Sequence, residues 1–312
     1  MSRLIWVPQY PSVMRYQEWW YTEFPKEFSN YFDDVIVLGD EYLKSLETSK
    51  FKQSTSEMFA PVEDAINFEL HQIREYMNIP IYPEDVVFLS DLSFPGLFSN
   101  ILYHERPNRC FAFSHAGPTN HLDYFSGDRI SKHWNEQAIS QIFDLIFVGS
   151  EHQKILMDIK NSVVVRLPYP VPITPMKVEK QYDVVSVCRL NDQKICLSDE
   201  EKIEDKYGII RKQFDTWDEY SKFLSASKIL IISSLADTFN YTILDAIKCG
   251  CIPIAPNRLC FPEILPKEYL YNNGDEALKL VDHILEGKLE VPRCLCEKEV
   301  FEFYKNVTEY MR

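Results

Sequence analysis

Residues 233–270 read SSLADTFNYTILDAIKCGCIPIAPNRLCFPEILPKEYL. The stretch opens on the end of an apolar run, ASKILIISS (226–234), crosses a loop with Asp237, and enters a helical segment that carries Asp245. Gly250 marks the stop of that helix, because a residue without Cβ takes the left-handed turn that ends one. CIPIAP (251–256) follows as a short β-rich run, and a turn framed by Pro262 and Pro266 closes the segment. A strand, a helix and a second strand, with both strands apolar, form the repeating unit of a parallel α/β sheet.

Outward from this unit the pattern recurs. YDVVSVCRL (182–190) is another strand of the same half. SVVVRLPYPVPITP (162–175) begins as a strand and turns proline-rich; its four prolines between 168 and 175 continue neither a helix nor a central strand, which makes it a domain linker. Before it lie five strand candidates: RLIWVP (3–8), DDVIVLG (33–39), DVVFLSD (85–91), CFAFSHAG (110–117) and DLIFVGSE (144–151). The last three end in small or polar residues, where an open α/β sheet places its ligand groups. RYQEWWYTEFPKEF (15–28) is an aromatic helix that Pro25 kinks or ends. Residues 62–77 form an amphipathic helix, and 44–58 read as a surface loop. The expected fold is α/β with two Rossmann-like domains, one over 1–170 and one over 171–299. A C-terminal helix, about 300–312, is able to pack back on the first.

Composition narrows the functions. The 312 residues hold 33 Lys and Arg against 47 Asp and Glu, a net charge of −14. Such a chain lacks the basic footprint for tracking a long phosphate backbone, although one local patch can still meet a nucleic acid. The eight cysteines include two C-x-C pairs, Cys249 with Cys251 and Cys294 with Cys296, and no C-x-x-C; small buried reduced thiols fit them better than a metal site. With neither a signal-peptide pattern nor a long uncharged apolar run, the expected location is the cytoplasm, or the host cytoplasm for a phage-encoded chain.

The 233–270 segment resembles the nucleotide-sugar motif of retaining glycosyltransferases of family 4, which have the GT-B fold, two Rossmann-like domains facing each other across a cleft. That motif is acidic, any residue, Phe, Gly, with a second acidic residue eight positions after the first. Here Asp237 and Asp245 form the pair, Phe239 is in register, and Asn240 stands where Gly is usual. The resemblance implies that Asp237 meets sugar hydroxyls, that Asp245 meets the ribose, and that Thr238, Asn240 and Tyr241 at the helix start lie along the diphosphate. The plainer alternatives are a helix cap for Asp237 and a solvated Asp245. A second element, VCRLNDQK, puts Arg189 and Lys194 five residues apart after a strand, the family spacing for two cations that stabilise the departing nucleoside diphosphate. The implied reaction retains anomeric configuration and needs no metal or cofactor beyond a UDP- or GDP-linked sugar.

In the first half, His115 of SHAG matches a family histidine that lies beside the reacting sugar carbon; a satisfied structural histidine is the plainer reading. Asp123 could orient or deprotonate an acceptor hydroxyl. Gln9, Tyr10 and Ser12 occupy the loop after the first strand, where such transferases admit the acceptor, and Ser90 and Asp91 close a later strand. Glu263 matches a family Pro-Glu position, with a helix N-terminal charge as the alternative. Trp19, Trp20 and Tyr21 read as core rather than as a base-stacking platform.

GCIPIAPNRLCFPEILPKEYLY (250–271) is similar to the corresponding stretch of tRNA-queuosine mannosyltransferases, and the compact Tyr-rich chain is similar to bacteriophage glycosyltransferases. The implied acceptor is a modified nucleic-acid base, in phage DNA or in tRNA. Three other functions stay open: a regulatory protein that only binds a sugar nucleotide, a transferase acting on a glycan, protein or small molecule, and a sugar-nucleotide epimerase. The oligomeric state is not legible.

Overall fold

The computed structural model describes residues 3–12, 14–45, 62–92, 96–102, 106–115, 129–169, 173–188 and 194–312. The chain divides into two compact units. The first comprises 1–149, 153–167 and 302–312, and the second comprises 150–152 and 168–301.

The first unit runs β1 (Arg3–Val7), α1 (Tyr16–Phe28), β2 (Asp34–Val37), α2 (Asp40–Ser45), α3 (Val62–Asn78), β3 (Val86–Leu89), α4 (Leu97–Leu102), β4 (Arg109–Ser114), α5 (Arg129–Ser140), β5 (Leu145–Val148), α6 (Glu151–Met157) and β6 (Ser162–Val164). Its six strands pair in parallel in the order β2-β1-β3-β4-β5-β6. Because side chains alternate across a strand, the sheet sorts its residues by face. Ile5, Val87, Ala112 and Ile146 belong to an aliphatic core. Trp6, Phe88, Phe113 and Phe147 point the other way and touch ring to ring, with Trp6 to Phe88 at 5.1 Å and Phe113 to Phe147 at 5.7 Å.

That aromatic face explains α1. Its Trp20, Phe24 and Phe28 are all but fully buried, and Phe24 lies 4.9 Å from Trp6. Pro25 sits inside this helix and does not end it; the turn after it closes with Ser29 N–H donating to the Pro25 carbonyl. A proline there forfeits one backbone bond near the helix end, and the buried aromatic stripe outweighs it. Gly39, at φ +88°, turns the chain between β2 and α2, and a Cβ there would stand 2.3 Å from the Phe68 ring. Gly39→Ala therefore costs at least about 2 kcal/mol, read as a lowered Tm.

The second unit runs β7 (Tyr182–Ser186), α7 (Leu197–Tyr207), β8 (Ile210–Arg211), α8 (Trp217–Ser225), β9 (Ser227–Ile231), α9 (Tyr241–Lys248), β10 (Ile252–Pro256), β11 (Leu270–Tyr271), α10 (Gly274–Leu285) and α11 (Glu297–Phe301). The sheet is parallel, in the order β11-β10-β9-β7-β8, over a core of Val184, Ile229, Ile231, Ile254 and Val281. The expected single final helix is two. After α11 the chain returns to the first unit at Glu302 as α12 (Phe303–Met311). Phe303 packs on Phe113 and Phe24, and Arg109 donates to the carbonyls of Met311 and Arg312. The surface loop expected over 44–58 lies outside the described residues from 46 onward.

Candidate functional site

In an open parallel sheet, loops at the carboxyl ends of the strands flanking the point where strand order reverses form a ligand crevice. In the second unit that point lies between β7 and β9. Lys194 follows β7, Asp237 follows β9, and the two meet: Lys194 Nζ is 2.9 Å from Asp237 Oδ1 and donates to the Ala236 carbonyl at 2.8 Å. Both side chains keep some exposure, 16% and 10%, so the pair is held firmly without being sealed off.

Asn240, the departure from the family glycine, has a defined task. Its Oδ1 accepts from Ile243 N–H and caps α9, while its Nδ2 donates to Asp237 Oδ2 at 2.9 Å. The asparagine rather than Asp237 is thus the helix cap, and it orients the carboxylate toward Lys194. Phe239 is buried, edge-on to Tyr241 at 5.3 Å. Tyr241 donates to the Pro168 carbonyl, and the Thr238 carbonyl accepts from Ser150 Oγ at 2.6 Å.

Asp245 is placed differently. It is 6% exposed, so it is not solvated, and its two oxygens accept from Tyr169 OH at 3.0 Å and Tyr220 OH at 2.9 Å. Burial pushes its carboxyl up to about 7, against the pull of the two tyrosine hydrogen bonds. Neither tyrosine was singled out from the sequence; they lie 76 and 25 residues away, where no local signal reaches.

Arg258, also missed, ties the end of β10 to its neighbours. Its guanidinium donates to Asp199 Oδ2 at 2.8 Å and to the Ser233 carbonyl at 3.0 Å. Within the second unit, Glu263 accepts from the backbone N–H groups of Glu151 and His152, so its charge serves backbone donors outside its own segment. Of the four side chains expected around the diphosphate, Lys194 and Asp237 are joined, Asp245 is bound to the tyrosines, and Arg189 lies outside the described residues. Asp123 lies outside them too.

In the first unit the reversal falls between β1 and β3, and the expected acceptor residues gather there. Gln9, Tyr10, Ser90 and Asp91 line one pocket with Glu69 and Gln72. Gln9 N–H donates to Ser90 Oγ at 2.6 Å, and Gln72 Nε2 donates to the Pro8 carbonyl at 2.8 Å. Ser12 is 1% exposed and lies off this lining. Glu69, not foreseen, accepts from the N–H groups of Leu97 and Phe98, and burial raises its carboxyl to about 7.

His115 is 7% exposed, with its ring stacked on Phe113 and 4.4 Å from that of Trp20. Its Nε2 lies 2.7 Å from the Ser90 carbonyl. A carbonyl can only accept, so Nε2 carries the proton. Burial lowers the ring to about 3, so at neutral pH it is an uncharged imidazole anchored to the backbone. Among the described residues no cluster of three or more His, Cys, Asp or Glu could hold a metal ion, and no helix is long and apolar enough to cross a membrane.

No protein-family model matches the chain. The tRNA-queuosine alpha-mannosyltransferase of Drosophila melanogaster is 38% identical over 131 residues, which take up 41% of this chain and 33% of that enzyme. The resemblance to that group of enzymes is borne out, and the match spans about a third of the relative's length. Among solved structures, sucrose-phosphate synthase from Thermosynechococcus elongatus superposes over 100% of this chain and 96% of its own, with TM-score 0.66 and 11% identity. HepE from Anabaena, solved with UDP-glucose, covers 99% and 95%, with TM-score 0.63 and 10% identity. The fold is GT-B. Identities this low carry the fold and nothing further.

Proposed function

We propose that this chain is a retaining, metal-independent glycosyltransferase that moves a sugar from a UDP- or GDP-linked donor to a hydroxyl on a modified nucleic-acid base. The observation that carries this reading is the Lys194–Asp237 pair at the strand-order reversal of the second unit. A cation fixed in a partly dry crevice stabilises the charge that develops on a departing diphosphate, and it does so without a proton transfer or a metal. The neighbouring carboxylate accepts from hydroxyls of the donor sugar. UDP-glucose bound to HepE and the mannosyl transfer named for the fly relative support a nucleotide-sugar donor. The relative's tRNA substrate supports a nucleic-acid acceptor, and a net charge of −14 restricts that contact to a local patch.

In this reading the first unit receives the acceptor beside Gln9, Tyr10, Ser90 and Asp91, with the buried Ser12 in the same loop as Gln9 and Tyr10. His115 contributes as a fixed neutral group; Arg189 and Asp123, to which the resemblance gives roles, lie outside the described residues. Eight free thiols suit a reducing cytoplasm.

The test is a panel of UDP- and GDP-sugars incubated with the protein alone, with tRNA, and with hydroxymethylated DNA, while free nucleoside diphosphate is measured. Release that depends on one nucleic acid and survives EDTA is the expected result. Donor binding with no release under any condition would indicate a regulatory protein, and a folded chain that neither binds nor cleaves any donor would end the transferase reading. Binding is visible as thermal stabilisation, about 2.7 kcal/mol at a hundred times the dissociation constant.

A further inference from the structure

Of the two C-x-C pairs, one brings its sulfurs together. Cys294 Sγ and Cys296 Sγ are 3.4 Å apart, both reduced. In the other pair the Cys249 thiol turns to the Ser221 carbonyl at 3.7 Å, and burial raises the thiols of both Cys249 and Cys251, the latter to about 12. The Cys294–Cys296 contact has the opposite effect: hydrogen bonding between the sulfurs holds the Cys294 thiol below its ordinary value. With no third ligand among the described residues, the pair does not make a metal site.

The surroundings permit closure. A disulfide needs its sulfurs about 2.05 Å apart, so the two must approach by a little over an ångström. Residues 288–294 carry no helix or strand, and α11 starts only at Glu297. Cys294 lies just beneath the surface at 9% exposure, next to Leu295 at 57%, while Cys296 is sealed at 0%. A small oxidant therefore reaches Cys294 first, and Cys296 is the partner waiting behind it.

We propose that Cys294 and Cys296 form a peroxide-oxidisable dithiol. The Cys294 thiolate attacks one peroxide oxygen; the O–O bond breaks, one water leaves, and the sulfur becomes a sulfenic acid. The Cys296 thiol then attacks that sulfur, the S–S bond forms, the S–O bond breaks, and a second water leaves. In sum, two thiols lose two hydrogens and one peroxide is reduced to two waters.

The experiment treats the full folded chain with low hydrogen peroxide and maps the cysteines by mass spectrometry. The peptide spanning 294–296 is expected to lose the mass of two hydrogens and to regain it with dithiothreitol. Cys296→Ser is expected to accumulate a sulfenic acid on Cys294, captured by dimedone, whereas Cys294→Ser gives no capture at Cys296. Serine keeps the size of the side chain, and melting curves of both variants check folding. A sulfenic acid persisting on Cys294 in the wild-type chain would overturn the proposal. So would a cross-link to another cysteine, or oxidation of the half-buried Cys196 while this pair stays reduced.

Discussion

On the proposed function, Asp237→Ala is expected to lower sugar transfer by about 10²-fold or more at saturating donor, because it removes the carboxylate that receives the donor sugar's hydroxyls and fixes Lys194 in place. The fold survives the change. Asn240 still caps α9 through Ile243 N–H, and Lys194 still donates to the Ala236 carbonyl, so Tm stays within a few degrees. Lys194→Ala produces a loss of similar size by removing the cation itself. Because the two side chains are in direct contact at 2.9 Å, the double variant is expected to be far less than multiplicatively worse than either single one. Nucleoside diphosphate release from the four proteins completes the cycle. Strictly multiplicative losses would mean that the pair does not act as a unit, and an Asp237→Ala protein with wild-type turnover would remove the site from the mechanism.

Asp245→Ala destabilises the second unit by about 2–4 kcal/mol, since it strips the acceptor from one buried and one half-buried tyrosine hydroxyl. Asp245→Asn behaves in the opposite way, because its amide can still accept from one tyrosine and donate to the other without carrying a charge. The effect depends on pH with a definite sign. The folded carboxyl sits at about 7 against an ordinary 3.8, so the native state holds this proton more tightly than the unfolded chain does. Its contribution is complete below about pH 4 and is lost as pH rises through about 7, an upper span of roughly 4 kcal/mol.

Two buried groups of the first unit also titrate away from their ordinary values. Glu69, also raised to about 7, acts in the same direction. His115, lowered to about 3 by burial, acts oppositely: its contribution is present above about pH 6.5 and lost as pH falls toward 3. Urea midpoints of wild type minus Asp245→Asn, taken from pH 4 to 8, isolate the Asp245 share. A flat difference across that range would show that the carboxyl titrates as an exposed one.

The strands were legible for a simple reason. A parallel strand covered on both faces is apolar over most of its length, so RLIWV, VVFL and SKILI declare themselves without knowledge of their neighbours. β8 and β11 were not, because each is two residues long and lies at a sheet edge, too short to leave a pattern. Of the two roles open to Pro25, kinking or ending the helix, only the second is removed, since the aromatic packing that carries α1 past it comes from Trp6 and Phe303, far away in the chain. At the site, the spacing of Lys194, Asp237 and Asp245 could be read along the chain, but their partners could not.

Short-range order suffices for the alternation of strand and helix, the proline-rich break, and the presence of a carboxylate on a loop and another on the helix after it. These depend on backbone periodicity and turn chemistry, which act over a few residues. Long-range packing assigns the two aspartates their different characters. Asp237 faces a lysine from the loop after another strand, while Asp245 is sealed beneath tyrosines 25 and 76 residues away. Burial and charge partners, unlike periodicity, arise only when distant segments meet, and they set the ionisation of a carboxylate.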